Sequence, residues 1–402
     1  MQGRWPRARA AKALASALRL AAAAARRRQD MTLTASDARF LDLALRLGAR
    51  GAGATWPNPS VGCVIVRDGR ILARAATAPG GRPHAETQAL AAAGAAACGA
   101  TAYVSLEPCA HGGATPPCAG ALAAAGIARV VTALEDPDPR TAGQGHAALR
   151  AAGLEVVAGA APEAAREAHR GFLSRVVRGR PWLTLKLAAS CDGRIATATG
   201  ESRWITGPEA RRAVHALRAR ADAVLVGGGT ARTDDPRLDV RGLGPVAQPV
   251  RLVASRLLDL PEEGRLAASA ADPAAGPLWL CHGPDATPDR RSRWAARGAE
   301  TVETAVSGRQ IDPSALLATL GARGLGEVFC EGGGTFAASL LAAGLVDELV
   351  TFTAGLALGA EGRPALGALG VEALASAPRF RLAALRRVGP DAMALWRPVA
   401  PG

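Results

Sequence analysis

Four residues have the types and spacing of a catalytic zinc site. His84 and Glu86 stand in PHAETQAL, and Cys109 and Cys118 stand in LEPCAHGGATPPC. Two thiolates and one imidazole leave the fourth position of a tetrahedral zinc ion open for water, as in catalytic zinc sites. Zinc lowers the pKa of such a water toward about 7, so that a nucleophile is available at neutral pH. We therefore predict His84, Cys109 and Cys118 as the ligands of one Zn²⁺ ion.

The motifs H-A-E, E-P-C and P-P-C follow one another in the order found in zinc-dependent nucleobase deaminases. In that signature the glutamate is not a ligand, and it transfers a proton from the water to the departing amine. Glu86 is therefore the predicted catalytic residue. His111 lies between the two cysteines and is an alternative fourth ligand, which would close the site. A purely structural zinc module is a further alternative, disfavoured by Glu86 beside an open position.

The elements around these residues alternate between strands and helices. VGCVIV, Asp68-Gly69 and RILARAA predict a hairpin, TAYVSL and ARVVTAL predict strands, and HAETQALAAAG and CAGALAAAG predict helices. His84 is expected at the N-terminus of the first of these helices, Cys109 beyond a strand, and Cys118 where the next helix begins. Ser36 is the predicted N-cap of an earlier helix. This order of elements predicts an α/β sandwich.

The second half of the chain carries two glycine runs that each follow an apolar strand, at 227–230 and 332–334. In the second run, Gly332 to Thr335 opens a predicted helix, where free backbone amides and the helix dipole suit a phosphate. A tight turn is the alternative for either run. The second run also fits the dinucleotide fingerprint, but no acidic residue closes the following strand and the motif lies near the end of the domain. We therefore exclude the fold that this fingerprint marks.

Long ordered motifs resemble the RibD family of bifunctional riboflavin-biosynthesis enzymes. PNPSVGCVIV, PHAETQAL, LEPCAHGGATPPC and EDPDPRTAGQG resemble its deaminase half. LKLAASCDGRIATATGESRWITGPEAR, DAVLVGGGTARTDDPRLDVR and FCEGGGTFAASLLAAGLVDEL resemble its reductase half. The resemblance implies an α/β protein with an N-terminal cytidine-deaminase-like α/β/α sandwich and a C-terminal dihydrofolate-reductase-like domain. It also implies two reactions: hydrolytic deamination of a diaminopyrimidinone ribosylamino phosphate to the aminouracil, and NADPH-dependent reduction of the ribosyl to the ribityl chain.

The resemblance also implies roles for individual residues. Asn58 would contact the pyrimidine in the deaminase. The residues implied in NADPH binding are Ala188, Trp204, Thr230, Asp234, Ser255, Gly333, Gly334, Thr335 and Ser339. The residues implied in binding the substrate of the reductase are Lys186, Ser202, Arg218, Leu238, Arg241 and Glu331.

Two positions of the deaminase half depart from the family pattern. Thr77 stands where the family usually has histidine, and Ala114 stands where it usually has lysine or arginine. Both positions would face the deaminase substrate, the basic one its phosphate. An alternative hypothesis is therefore a working reductase beside a weakened or redirected deaminase.

Length and composition predict the division of the chain. A chain of 402 residues exceeds the size at which one core keeps growing, so two domains are expected. We predict an unstructured Ala/Arg-rich extension at 1–30, a zinc deaminase domain at 31–158, a linker at 159–180 and a reductase domain at 181–402. A targeting peptide and an upstream start codon are alternatives for the extension.

Charge and cysteine content limit the partners. The net charge is +13, of which the first 30 residues supply +7. The remaining arginines are scattered, so we predict no nucleic-acid partner and a phosphorylated pyrimidine as the small-molecule substrate. The chain has no run of about 18 strongly apolar residues, so no membrane span is predicted. Seven cysteines without a secretory signal predict reduced thiols and a cytoplasmic protein, and a homo-oligomer remains open.

Overall fold

A computed structural model of the chain describes residues 33–110, 112 and 116–399. The predicted extension, His111 and Ala114 lie outside the described residues. The described part of the chain is built around two mixed β-sheets, of five and nine strands, that are covered by helices. Each strand predicted above from the apolar motifs is present.

The five-stranded sheet has the order β2-β1-β3-β4-β5. Its strands are β1 (Gly62–Arg67), β2 (Arg70–Ala76), β3 (Thr101–Val104), β4 (Arg129–Thr132) and β5 (Glu155–Val157). Strand β1 is antiparallel to β2 and β3, while β3, β4 and β5 run parallel. The hairpin between β1 and β2 turns at Asp68 and Gly69, whose φ angles of 52° and 73° are those of a type I′ turn. The predicted hairpin is therefore confirmed.

Helices cover both faces of this sheet. They are α1 (Ala35–Ala49), α2 (Ala85–Ala93), α3 (Cys118–Ala124), α4 (Gln144–Ala151) and α5 (Pro162–Ala168). Cys63 and Ile65 of β1 face a core formed with α2, α3 and α4, while Val64 and Val66 face a core formed with α1 and α5. Successive residues of a strand point to opposite faces, so one apolar strand serves both cores. The predicted α/β/α sandwich is confirmed.

Helix α1 starts two residues earlier than the predicted cap at Ser36 implies. Thr34, and not Ser36, is the N-cap: its hydroxyl accepts from the Asp37 amide, and the Asp37 carboxylate accepts from the Thr34 amide. This reciprocal capping box satisfies two free amides at once. Ser36 offers no equivalent pair, so the predicted cap at Ser36 is wrong.

The nine-stranded sheet has the order β11-β10-β9-β8-β14-β6-β15-β18-β17. All neighbours from β11 to β15 run parallel, and β18 and β17 close that end as antiparallel strands. The strands are β6 (Trp182–Ser190), β8 (Ala223–Gly227), β9 (Val250–Ala254), β10 (Leu278–His282), β11 (Glu300–Glu303), β14 (Glu327–Gly332), β15 (Glu348–Ala354), β17 (Phe380–Val388) and β18 (Asp391–Pro398). Two short ribbons pair β7 (Arg194–Ala196) with β16 (Arg363–Pro364) and β12 (Val306–Ser307) with β13 (Gln310–Ile311).

Helices also cover both faces of the larger sheet. The helices after the first domain are α6 (Arg170–Arg178), α7 (Pro208–Arg218), α8 (Gly228–Asp234), α9 (Arg265–Ala268), α10 (Pro288–Ala296), α11 (Pro313–Ala322) and α12 (Gly334–Ala342). Helices α11 and α12 contribute to one core, and α8, α9 and α10 contribute to a second core on the other face. The carboxyl ends of the central parallel strands are therefore left free at one edge of the sheet.

The segment at 159–180 consists mainly of the two helices α5 and α6. His169, between them, is buried, and its Nε2 lies 3.1 Å from the carbonyl oxygen of Ser105 in the first domain. Arg170, at the start of α6, pairs with Glu327 and Glu348 of the larger sheet. The segment therefore contacts both domains.

Among the described residues, no helix combines the length and the apolar character that crossing a membrane requires. All seven cysteines lie in the described part of the chain and are free thiols.

Candidate active sites

The structure brings the three predicted zinc ligands together at the ends of two helices. His84 is the N-cap residue of α2, Cys118 is the first residue of α3, and Cys109 lies in the loop after β3. His84 Nδ1 lies 3.4 Å from Cys118 Sγ and 3.8 Å from Cys109 Sγ. Tetrahedral zinc bonds of about 2.0 Å to nitrogen and about 2.3 Å to sulfur place ligand atoms roughly 3.5–3.8 Å apart. The three side chains therefore fit one zinc ion, with Nδ1 as the histidine ligand.

The contacts between Cys109, Cys118 and His84 favour the thiolate form of Cys109, which is the form that binds metal. A hydrogen bond from Cys118 outweighs burial and, with His84, lowers the pKa of Cys109 to about 4. The backbone amide of Cys118 also donates to Cys109 Sγ over 3.4 Å. The same contact raises the pKa of Cys118, because the two sulfurs share one proton. A bound Zn²⁺ would replace that proton, since the thiolate is the form that binds metal.

Glu86 lies in the first turn of α2, two residues after His84. It is only 3% exposed, and burial raises its pKa. A raised pKa means that this carboxyl holds a proton more readily than an exposed glutamate does. Its position beside the ligand cluster agrees with the predicted proton-transfer role.

Glu107 organises the loop that follows the metal site. Its carboxylate is buried and accepts hydrogen bonds from the amides of Asp136, Gly143 and His146 at 3.0–3.1 Å. His146 and Glu135 lie beside Glu107 in a cluster with metal-like composition. Because the oxygens of Glu107 are already committed to backbone amides, we assign this cluster a structural role.

Asn58 and Thr77 lie in two neighbouring loops that lead to the metal site. Asn58 Nδ2 donates to the carbonyl oxygen of Gly81, three residues before His84. Thr77 is buried, and its hydroxyl accepts from the amide of Val61 at 3.0 Å. The Thr77 side chain is therefore engaged by the protein backbone.

A second candidate site is a cavity of about 1220 Å³ at the carboxyl edge of the larger sheet. It lies between the ends of β6, β8, β9 and β14 and helices α7, α8 and α12. The residues predicted for NADPH that line it are Ala188, Trp204, Thr230, Asp234, Ser255, Gly333, Gly334 and Thr335. The residues predicted for the substrate that line it are Lys186, Ser202, Arg218, Leu238, Arg241 and Glu331. Ser339 does not line the cavity, because its hydroxyl donates to the Phe336 carbonyl within α12.

An ion-paired group forms the inner wall of this cavity. Arg218 Nε donates to Glu331, and Arg218 Nη1 donates to the Asp239 carbonyl oxygen over 2.7 Å. Burial raises the pKa of Glu331, but the charge of Arg218 outweighs it and the net pKa is lowered. Burial also lowers the pKa of Lys186, against the opposing charge of Glu331. Two of the five N–H groups of Arg218 are thus engaged within the protein.

The glycine run before α12 allows close approach of the cavity backbone. Gly333 has φ of 101°, and a Cβ there would lie 2.6 Å from Thr230 Oγ1. A side chain at this position would therefore be strained and would also clash with Thr230.

The cavity has a basic rim that the sequence analysis did not identify. The arginines concerned are Arg203, Arg211, Arg232, Arg237, Arg256, Arg265, Arg309 and Arg363. The position of Arg232 just after the first glycine run, and of Arg256 beside Ser255, could have indicated them. Their surplus of positive charge suits a ligand that carries several phosphates.

Two family models match this chain. The model described as "RibD C-terminal domain" matches residues 181–394, and the model described as "Cytidine and deoxycytidylate deaminase zinc-binding region" matches residues 34–134. The Escherichia coli riboflavin biosynthesis protein RibD is 41% identical over 370 residues, which cover 88% of this chain and 97% of that protein. The chain belongs to the RibD family. A Haemophilus influenzae RibD protein is 37% identical and covers 92% of this chain and 99% of its own length.

Solved structures agree with membership of the RibD family. Acinetobacter baumannii RibD superposes with a TM-score of 0.82 at 37% identity, covering 90% of this chain and 99% of its own. A Thermotoga maritima diaminohydroxyphosphoribosylaminopyrimidine deaminase/5-amino-6-(5-phosphoribosylamino)uracil reductase superposes with a TM-score of 0.77 at 30% identity, covering 90% and 98%. The zinc-binding deaminase region and the reductase domain of this chain are thus those of RibD proteins, and the cofactors of the family are zinc and NADPH.

Proposed function

We propose that the chain catalyses two consecutive steps of riboflavin biosynthesis. The first is deamination of 2,5-diamino-6-(5-phosphoribosylamino)pyrimidin-4(3H)-one to 5-amino-6-(5-phosphoribosylamino)uracil, and the second is reduction of the ribosyl to the ribityl chain. The observation that carries this proposal is the His84, Cys109 and Cys118 cluster with Glu86 beside it, in the same chain as a basic cavity. The Thermotoga maritima relative, 98% of whose chain is covered, is named for both activities.

In the deaminase, His84, Cys109 and Cys118 would hold one zinc ion, which supplies an activated water when bound. Glu86 would take a proton from that water and give it to the amino group that leaves as ammonia. Its buried position and raised pKa support this role. Asn58 would orient the pyrimidine from the neighbouring loop.

In the reductase, NADPH supplies the hydride that reduces C1′ of the ribosyl chain. The cavity residues predicted for NADPH would bind it, with the glycine run before α12 lying against a phosphate. Lys186 and the Arg218–Glu331 pair would orient the sugar and its phosphate. A preorganised set of buried charges suits this task, since it needs little rearrangement during the reaction.

The experiment that tests the first reaction is ammonia release by the full chain without NADPH. Zinc-loaded protein should release ammonia from the diaminopyrimidinone substrate, and chelated protein should not. Glu86→Gln should abolish release while it retains zinc, since the ligands are unchanged. A zinc-replete wild-type protein that releases no ammonia would contradict the proposal.

The engagement of Thr77 favours a second candidate, a reductase beside a weakened deaminase. The Thr77 hydroxyl accepts from the Val61 amide over 3.0 Å and donates to the Val61 carbonyl oxygen over 3.4 Å, so its proton is already engaged by the backbone. On this candidate, Thr77→His should raise the deaminase kcat/KM severalfold. An unchanged kcat/KM would indicate that the wild-type loop is already competent.

We also propose the domain limits given above: deaminase at 31–158, linker at 159–180 and reductase at 181–402. The ordered segment 162–178, which contacts both domains, supports a stiff connection between them. We further propose a cytoplasmic enzyme that acts on a small molecule without a nucleic-acid partner. The seven free thiols support this location.

A further inference from the structure

Residues 51–58, which we call the Asn58 loop, belong to the deaminase half but pack against the reductase half. Trp56 packs edge-on to Trp279 of β10, with ring centroids 6.1 Å apart and an interplanar angle of 88°. The other face of the contact is closed by Arg323, whose guanidinium carbon lies 4.6 Å from the Trp279 ring centre. Trp56 thereby joins the core between the larger sheet and helices α11 and α12.

Two further contacts fix the same loop. Arg175 of helix α6 donates from Nη2 to the carbonyl oxygen of Pro57 over 2.8 Å. Gly324, with φ of 95°, lies so close to Pro57 that a Cβ would stand 2.7 Å from Pro57 Cβ. A Cβ at Gly53 of the loop would stand 2.8 Å from the carbonyl oxygen of Ala219. Glycine is needed on both sides of this contact, because only glycine allows such approach at positive φ.

The loop is connected on its other side to the segment that ends in a zinc ligand. The Gly80 amide donates to the Ala54 carbonyl over 2.8 Å, and Asn58 Nδ2 donates to the Gly81 carbonyl over 3.1 Å. His84 follows three residues after Gly81. A continuous set of contacts therefore runs from Trp279 through the Asn58 loop to the metal site.

We propose that the linker and the reductase domain complete the substrate site of the deaminase, with Arg175 of α6 and Trp279 of β10 as positioning residues that hold the Asn58 loop. The inference rests on the proposed role of Asn58 in binding the pyrimidine. The loop reads GAGATWPN, and its two glycines make it costly to order. Docking on the second domain orders the loop before substrate arrives, so less binding energy is lost on binding.

The test combines Trp279→Leu with Arg175→Ala in the full chain. The deaminase KM for the diaminopyrimidinone should rise about tenfold, because a displaced binding group lowers affinity for a substrate that it orients. The deaminase kcat, the zinc content and the reductase constants should stay within about twofold of wild type. The single variant Trp279→Phe should have a near-normal deaminase KM, since it keeps an aromatic partner for Trp56.

Matched controls separate loop positioning from general damage to the fold. Trp396→Leu removes a half-buried tryptophan from β18, at the opposite end of the same sheet, and Arg166→Ala removes an exposed arginine from α5. Both should leave the deaminase KM unchanged. A fall in zinc content and in reductase activity together with the rise in KM would assign Trp279 a structural role and overturn the proposal.

A second measurement needs no substrate. Hydrogen exchange of the backbone amides in the Asn58 loop should be faster in the double variant than in wild type, with the other loops of the deaminase unchanged. If exchange and KM both match wild type, the proposal is overturned. If wild type releases no ammonia at all, the proposed deaminase function fails, and the exchange result alone decides whether the reductase domain holds the loop.

Discussion

Replacing Glu107 with glutamine should destabilise the deaminase domain although the shape of the side chain is retained. Glu107 Oε2 accepts from the amides of Asp136 and Gly143, and Oε1 accepts from the amide of His146. Glutamine has one oxygen, so its best orientation keeps the first two bonds and turns an NH₂ group toward the His146 amide. Two donors then face each other in a buried site.

The magnitude follows from these contacts. A buried amide left without an acceptor lowers the free energy of unfolding by about 1–3 kcal/mol. The two remaining hydrogen bonds are also weaker, because their acceptor is no longer charged. We expect a loss of about 3 kcal/mol in the free energy of unfolding. For a domain of this size that loss lowers the midpoint of thermal unfolding by roughly 10 °C.

The assay is calorimetry of zinc-loaded protein, with Glu135→Gln as the control. Glu135 is the neighbouring carboxylate, it is 60% exposed on its side chain, and it lies 3.7 Å from the same histidine. The control should change the midpoint little, since exposed substitutions usually cost within about 0.5 kcal/mol. An unchanged midpoint in Glu107→Gln would refute the idea that its carboxylate holds the loop by charge-assisted bonds.

Three further predictions concern pH, the reductase and the metal. Burial lowers the pKa of His169 from 6.5 to about 4, so the folded state binds that proton less well than the unfolded chain. The contribution of His169 to the free energy of unfolding should be complete above pH 6.5 and should be lost as the pH falls toward 4. In urea denaturation at a series of pH values, His169→Gln should reduce the pH dependence of stability between pH 6.5 and 4. Glu331→Gln leaves Arg218 and Lys186 without their counter-charge, so the reductase kcat/KM, followed by NADPH absorbance, should fall about thirtyfold or more while ammonia release is unaffected. Chelation should abolish ammonia release and leave reduction of the uracil substrate intact, because the metal ligands and the cavity belong to different sheets; equal loss of both rates would contradict that separation.

The sequence could predict the parts of the fold that depend on local pattern. Apolar runs bounded by turns predicted the strands. The order of H-A-E, E-P-C and P-P-C predicted three side chains that the structure brings together, because those positions coincide with element ends. The cap of α1 was missed, since Ser36 and Thr34 are both good capping residues and only the reciprocal bond with Asp37 decides between them. Local pattern could not decide it.

Contacts between residues distant in the sequence could not be predicted from it. The three backbone amides that donate hydrogen bonds to Glu107 lie 29 to 39 residues further along the chain. The contact of Trp56 with Trp279 joins the two domains. Arg218 and Glu331, 113 residues apart, form a pair, whereas the resemblance implied them only as separate substrate-binding residues. Such pairs depend on how the sheets bring remote residues together, which residue type and spacing do not encode.

The most direct test of a bifunctional chain is the ratio of the two products in one sample. Full-length zinc-loaded protein with the diaminopyrimidinone substrate and NADPH should release ammonia and consume NADPH in equal amounts. The Glu86→Gln variant should neither release ammonia nor oxidise NADPH with this substrate. It should oxidise NADPH at the wild-type rate when given 5-amino-6-(5-phosphoribosylamino)uracil. NADPH oxidation from the diaminopyrimidinone by Glu86→Gln at the wild-type rate would contradict the account, because reduction would then need no prior deamination by this chain.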